Sequence, residues 1–510
     1  MSETEAAGSS AAPAPARGRP RRDGRWLRRT TAGAVVLVLV AAGVCYWLDL
    51  GSRWFATGLP DPVTQPSLVL PPPGLDLPAA RPVAQVAAPT RSRAASGAAV
   101  GRAVAGLVKE RKLGRHVRVL VAQLPEGKVV YRHGTGLVTP ASTMKLLTTV
   151  AALSALGPDH RFATSVVTAR PAGGRPPRLV LVGGGDPLLT RAAPPSGTYP
   201  HRADLATLAR QTATALRHDR DVPRRSGRPV VRLGYDTSLF GGSGADPHWE
   251  PGYLPDNVVS PISALWVDEG RERTGFAARS ATPAAAAAEA FADALRAQRV
   301  RVRGPVAAIP APRDGPRTTR LAQVRGAPLA QVVQHIVEVS DNEGAEVLAH
   351  QVAVATRRPG TFEGGATAVR AVLRGLGVDT TRDRIFDGSG LSRDDRLRPE
   401  TLLGVLEVAS SARQPGLRAA VTDLPVAGFT GSLARRFRTG DQQGPGRVRA
   451  KTGTLTGVHG LAGTVTTSDG VVLAFVAIAD RVKPVNTLDA RVGIDELSAA
   501  LAGCRCAVRR

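Results

Sequence analysis

Thr139-Pro140-Ala141-Ser142-Thr143-Met144-Lys145-Leu146-Leu147-Thr148-Thr149-Val150 is the stretch around which the rest of the chain can be organised. Pro140 suits a first helical turn, where its missing N–H is not needed. The apolar run carries a helix on through Leu156, and Gly157 is its expected stop. Ser142 and Lys145 stand three apart, so their side chains share one face. A hydroxyl beside an amine, near the positive end of a helix, is an arrangement that can activate a nucleophile. Composition sharpens the reading. The 510-residue chain holds 6 Lys (109, 112, 128, 145, 451 and 483) against 61 Arg. Where positive charge alone was wanted, Arg was supplied. A proton acceptor cannot be Arg, but it can be a desolvated Lys. Taken alone, Ser-x-x-Lys is also met in an ordinary helix with one surface lysine.

Two further motifs decide between these readings. Ser340-Asp341-Asn342 is a Ser-x-Asn in a chain with only three Asn, and Lys451-Thr452-Gly453 is a Lys-Thr-Gly in a strand-like run. The first falls between two helical patterns, Leu329 to Val339 and onward to Ala355, so its side chains can project from a turn. In isolation it would read as an Asx turn or a helix cap. Ser-x-x-Lys, Ser-x-Asn and Lys-Thr-Gly in this order form the signature shared by penicillin-binding proteins and serine β-lactamases.

Other chemistries lack support. The nine His show no metal-ligand spacing and no Gly-x-Ser-x-Gly elbow occurs, so neither a metal nor a cofactor is expected. Gly183-Gly184-Gly185-Asp186-Pro187 lacks the Gly-Lys-Ser/Thr ending of a phosphate loop and reads as a tight turn. Of three Cys, Cys45 lies in an apolar segment, and Cys504 and Cys506 could close a small bridge. The net charge of +25 would suit anionic wall polymers or lipid surfaces, though arginine-rich composition alone also produces it. Nucleic acid is not an expected partner for a body outside the membrane.

Along the chain, residues 1–30 read as a basic cytoplasmic tail. Residues 31–48 carry no charge and are long enough for a membrane helix, with the arginine cluster on the cytoplasmic side. A cleaved signal peptide, giving a secreted form, is the alternative. Residues 49–97 are a Pro-rich, stiff linker. Helix Val100 to Lys109, strands Val117 to Gln123 and Lys128 to Arg132, and the Ser142 helix form a first catalytic part, 98–160. The 195 residues from Lys145 to Ser340 exceed what two parts of one site need, so 161–314 is read as an inserted region. Its strands Arg178 to Val182, Pro229 to Tyr235 and Val300 to Val306 and helices Asp204 to His218 and Pro283 to Gln298 (Thr282 as N-cap) make it mixed α/β. The second catalytic part, 315–510, continues after the Ser340 turn with helices Ala366 to Arg374 and Pro399 to Ser411. Strands Arg447 to Thr456, Gly460 to Thr467 and Gly470 to Ala479 follow, then helix Leu488 to Ala502.

The match extends beyond three motifs. Ala141-Ser142-Thr143-Met144-Lys145, Gly183 to Pro187, Ser340-Asp341-Asn342 with Ala345-Glu346, Phe386-Asp387-Gly388-Ser389-Gly390-Leu391-Ser392, Leu424 to Gly428 and Ala450 to Gly457 together resemble the D-alanyl-D-alanine carboxypeptidase/endopeptidase family, the class C low-molecular-mass penicillin-binding proteins (peptidase family S13). The resemblance spans about residues 100 to 505. It departs mildly at Gly431-Ser432-Leu433, where Gly-Thr-Leu is expected, and in the membrane helix and linker. It implies an α+β fold: a penicillin-binding/serine β-lactamase-like domain, with an antiparallel sheet between helical layers, split by a large insert. It implies serine peptidase chemistry on peptidoglycan stem peptides, and covalent trapping by β-lactams. Ser142 would be the nucleophile and Lys145 its base, neutral because it is buried among cations. Ser340, Asn342 and Lys451 would complete the catalytic set. Thr452, Gly453 and Thr454 would bind substrate, and the N–H groups of Ser142 and Thr454 would form the oxyanion hole. The rivals are a β-lactamase, a transpeptidase and a non-catalytic wall-binding scaffold.

Overall fold

The structure is a computed structural model that describes residues 93–169, 176–273, 275, 278–312, 318–437 and 442–508. The expected cytoplasmic tail, membrane helix and nearly all of the linker lie outside these residues. Among the described residues, no helix is long and apolar enough to cross a membrane. In chain order the elements are α1 (Gly97–Val104), β1 (Val117–Gln123), β2 (Lys128–His133), α2 (Lys145–Leu156), β3 (Ala163–Ala169), β4 (Arg178–Val182), α3 (Leu205–His218), β5 (Arg224–Arg225), β6 (Arg228–Asp236), α4 (Pro283–Ala297), β7 (Arg301–Val302), β8 (Ala307–Ala308) and β9 (Thr318–Arg325). There follow α5 (Leu329–Val339), α6 (Asn342–Ala355), α7 (Phe362–Gly375), α8 (Pro399–Ser410), α9 (Ala419–Thr422), β10 (Val448–Leu455), β11 (Val458–Thr466), β12 (Val472–Ala479) and α10 (Thr487–Gly503).

Five strands make a sheet in the order β10-β11-β12-β1-β2, antiparallel throughout. Both faces are covered, which is why β12 reads as the unbroken apolar run VLAFVAIA. Period-two alternation sends Ala474, Val476 and Ile478 into one core, with Leu147, Val332 and Leu402 of the helices there. Leu473, Phe475, Ala477 and Ala479 enter the other core, against Val100, Val104, Ile494 and Leu497 of α1 and α10. The expected antiparallel sheet between helical layers is therefore present.

A second, mixed sheet runs β5-β6-β4-β3-β9, with β7 and β8 joining β6. Helices α3 and α4 place Leu208, Leu216, Phe291 and Leu295 on it. β9 lies beyond residue 314, yet it pairs with β3. Its polar residues Thr318, Thr319 and Arg320 hide it from sequence reading. The strand expected over Val300 to Val306 reduces to two short pieces, because Gly304 (φ 74°) and Pro305 interrupt it. Thr282 sits at the α4 N-terminus without a side-chain capping bond; Pro283 supplies the start. Helix α7 begins four residues earlier than its apolar pattern suggests, because the Thr361 side chain caps it by accepting from Gly364 N–H. Likewise α1 ends at Val104, with Leu107–Lys109 forming a separate 3-10 turn. Cys504 and Cys506 are bridged, with Cα atoms 5.3 Å apart.

Candidate active site

The helix expected from Pro140 onward divides in two. Ala141–Met144 is a 3-10 turn, and the α-helix proper starts at Lys145. In a 3-10 turn, side chains three apart eclipse, and Lys145 Nζ consequently lies 2.9 Å from Ser142 Oγ. Every residue from Lys145 to Leu153 is buried. This is why the run is apolar apart from Lys145, Thr148 and Thr149, whose side chains all have hydrogen-bond partners. Ala141, just before the nucleophile candidate, is fully buried at φ 47°. That strained conformation is held by packing, and it aims the turn.

Ser340 terminates α5 in the left-handed region (φ 63°). Asp341 then caps α6, its Oδ1 accepting from Gly344 N–H at 2.9 Å. This sharp helix–turn–helix brings Asn342 Oδ1 to 2.7 Å from Lys145 Nζ. On β10, Lys451 is fully buried, and its Nζ lies 2.8 Å from Ser340 Oγ. Thr452 Oγ1 meets Ser432 Oγ at 3.1 Å. Gly453 lets the Ser142 turn abut the strand: a Cβ there would lie 2.8 Å from Pro140 O and 3.0 Å from Thr143 Cγ2.

β10 is an edge strand. Ala450 N–H donates to Pro425 O, and Ala427 N–H donates to Val448 O, so residues 425–427 cover the first half of its outer edge. N–H groups on one edge recur every second residue. Those of Thr452 and Thr454 therefore face the same side, past the covered part, beside the Ser142 turn. Thr454 is exposed there.

All five expected catalytic residues thus converge, in two hydrogen-bonded groups joined through the Ser340–Asn342 turn. Lys145 is pulled down from 10.5 to about 8, and burial is the cause. The expected burial is borne out, and it, rather than neighbouring cations, is the largest cause at Lys145. Its charged neighbours are the carboxylates Asp387, Glu346, Asp341 and Glu343, which push its pKa back up. Cations matter at Lys451 instead, where burial, then Lys145 and Arg436, hold the pKa well below the usual lysine value.

Three participants lie in the stretches quoted for the resemblance, but sequence reading gave them no role. Ser389 offers its backbone carbonyl to Lys145 Nζ at 2.9 Å, and a backbone acceptor leaves no side-chain signature. Glu346 accepts from the N–H groups of Gly388 and Ser389, both at 2.8 Å, and so fixes that carbonyl. Asp387 accepts from Gly390 and Ser392 N–H and from Trp249 Nε1. The usable signal was Glu346 itself, an acid four residues after Asn342 and fully buried in its helix.

This geometry has relatives. The sequence model of the D-Ala-D-Ala carboxypeptidase 3 (S13) family matches residues 101–275 and 271–501. The chain belongs to the S13 family. By class it is a serine-type D-Ala-D-Ala carboxypeptidase. A carboxypeptidase DacB of Mycolicibacterium smegmatis is 35% identical over 499 residues, covering 95% of this chain and 99% of the relative. A D-alanyl-D-alanine carboxypeptidase of Actinomadura sp. is 31% identical over 423 residues, 69% of this chain and 75% of the relative. Among solved structures, penicillin-binding protein 4 (dacB) of Haemophilus influenzae shares the fold, with TM-score 0.62 and 23% identity, covering 79% of this chain and 98% of that one. The same protein has also been solved in complex with a β-lactam.

Proposed function

We propose that the site hydrolyses the bond between the two terminal D-alanines of a peptidoglycan stem peptide through an acyl-enzyme at Ser142. The carrying observation is the 2.9 Å contact between Ser142 Oγ and a fully buried Lys145 whose pKa is drawn to about 8. A neutral amine has two N–H donors and one lone pair. Asn342 Oδ1 and Ser389 O take the two donors. The lone pair is then left for the Ser142 proton, and the freed alkoxide attacks the carbonyl carbon.

The developing oxyanion would sit between the N–H groups of Ser142 and Thr454, one at a helix start and the other on an open strand edge. Lys451 and Thr452 would attract the substrate's terminal carboxylate, with Gly453 and Thr454 lining its path along β10. Ser340, 2.8 Å from Lys451 Nζ, is placed to pass a proton to the departing D-alanine. Water then attacks the ester carbonyl, one of its protons passing to Ser340, while Lys145 gives its proton back to the departing Ser142 oxygen. The same steps on a D-Ala cross-link would make the enzyme an endopeptidase. The apolar 31–48 segment and its arginine-rich flank support a single-pass membrane anchor, with the catalytic part outside the cytoplasm. Carbonate-resistant membrane retention with an intact N-terminus would support this reading; a mature protein starting after residue 48 would replace it with secretion.

The test of the activity is D-alanine release. The full-length protein in detergent, given a pentapeptide ending in D-Ala-D-Ala, should free one D-alanine per peptide, and Ser142→Ala should free none. Equal release by both proteins, or none by a folded wild type, would reject the proposal.

A further inference from the structure

Beside the Ser340–Asn342 turn, three side chains from three separate elements point at one another. Glu269 stands on a turn of the inserted region, His335 on α5, and Asp341 at the start of α6. One ligand-type atom from each lies within 4.8 Å of the others. Asp341 is 8% exposed, and its Oδ2 has no hydrogen-bond partner among the described residues. His335 Nε2 is likewise buried and unpartnered. The two atoms are 3.9 Å apart, too far for a hydrogen bond and close enough to share a third body. A buried carboxylate oxygen and a buried imidazole nitrogen each cost free energy when left without a partner, so the two facing each other call for an occupant.

We infer that Glu269, His335 and Asp341 form a binding site for one divalent transition-metal ion of the zinc class. One imidazole nitrogen with two carboxylate oxygens is a donor set that zinc accepts, completed to four by water. Zinc donors at 2.0–2.2 Å lie roughly 3.3 Å from one another. The observed triangle must therefore close by about an ångström along its edges, which side-chain rotation supplies. The outer contacts are already built. Asp341 Oδ1 is fixed by Gly344 N–H at 2.9 Å, and Glu269 Oε2 is held by Arg271 at 3.3 Å. Glu269 (φ 59°) and the preceding Asp268 (φ 52°) both occupy the left-handed region, the backbone form that turns the Glu269 side chain inward. An entry path exists, because Glu269 also lines a cavity of about 610 Å³ with Arg202, Asp268 and Arg271.

The ion would tie the inserted region to α5 and α6 at the residue between Ser340 and Asn342. Its role is to hold that turn, not to touch substrate. No spacing rule could reveal it, since the ligands are 66 and 6 residues apart and come from a turn, a helix and a cap.

The probe is Zn²⁺ alone, added to the untagged, chelator-stripped full-length protein. Equilibrium dialysis should find one bound equivalent, tighter than about 1 μM. Glu269→Gln and His335→Gln should each weaken it at least tenfold, the range seen when even outer contacts of a metal site are removed. Hydrogen exchange of amides 340–344 should slow when Zn²⁺ is bound. X-ray absorption at the zinc edge needs no variant, so it stands even if a substitution unfolds the chain; it should show one imidazole with oxygen neighbours. No binding below about 100 μM, unchanged affinity in both variants, or a zinc shell with sulfur or several imidazoles would each overturn the site.

Discussion

The pH dependence of acylation follows directly from the burial of Lys145. Only its neutral form can take the Ser142 proton, and its pKa is drawn from 10.5 to about 8. Below that value the neutral fraction falls tenfold per pH unit: about one half at pH 8, about a tenth at pH 7 and about a hundredth at pH 6. The second-order rate of acylation by a penicillin should therefore rise about fifty-fold from pH 6 to pH 8 and flatten within about a unit above it. An unperturbed lysine would instead keep the rate climbing to about pH 10.5. Lys145→Arg keeps a cation that cannot be deprotonated, and should lose at least about 10³ in acylation at every pH. Stopped-flow quenching with a fluorescent penicillin measures both. A rate independent of pH between 6 and 8, or one still rising tenfold per unit at pH 10, would refute the assignment of Lys145 as base.

Three further outcomes are expected. Folded Lys145 and unfolded lysine hold the same proton below about pH 8, but between about 8 and 10.5 the unfolded chain binds more, so stability rises with pH. Relative to Lys145→Met, wild-type stability in urea should gain about 3 kcal/mol across that window and nothing below it; a gain centred below pH 7 would contradict this. Glu346→Gln points an amide N–H₂ at the N–H of Gly388 or Ser389, losing one buried bond at about 1–3 kcal/mol, and acylation should drop about tenfold as the Ser389 carbonyl loosens; unchanged rate and stability would remove Glu346 as a positioning residue. Gly390 has φ 80°, and a Cβ there would stand 1.9 Å from Ala141 O, so Gly390→Ala should abolish labelling while circular dichroism stays near wild type; normal labelling would show that the Ala141 turn is not held as described.

What the residues alone revealed follows the physics of each element. β12 and α2 are largely apolar, buried runs, and the three motifs carry reactive side chains, so both were legible. β9 was not, because half of it is polar and its stability comes from pairing with β3, 155 residues earlier in its opening residues. Within the site, hydroxyls and amines announced themselves, whereas Ser389 acts through a carbonyl and Glu346 through two bonds to backbone. The part given to cations in the Lys145 shift was misread for a related reason. Sequence shows which charges exist, and only packing shows that Lys145 is buried with four carboxylates about it, and that Lys451 is buried beside Lys145 and Arg436. The Glu269–His335–Asp341 group was beyond sequence reading altogether, since three elements must fold together before it exists.

The most direct test of the central claim is to locate the acyl group. Wild-type protein incubated with benzylpenicillin, digested and sequenced by mass spectrometry should carry the penicilloyl mass on Ser142, with Ser142→Ala unlabelled and Lys145→Arg labelled only in trace. Adduct on Ser340 or another serine, or equal labelling of Ser142→Ala, would contradict the account.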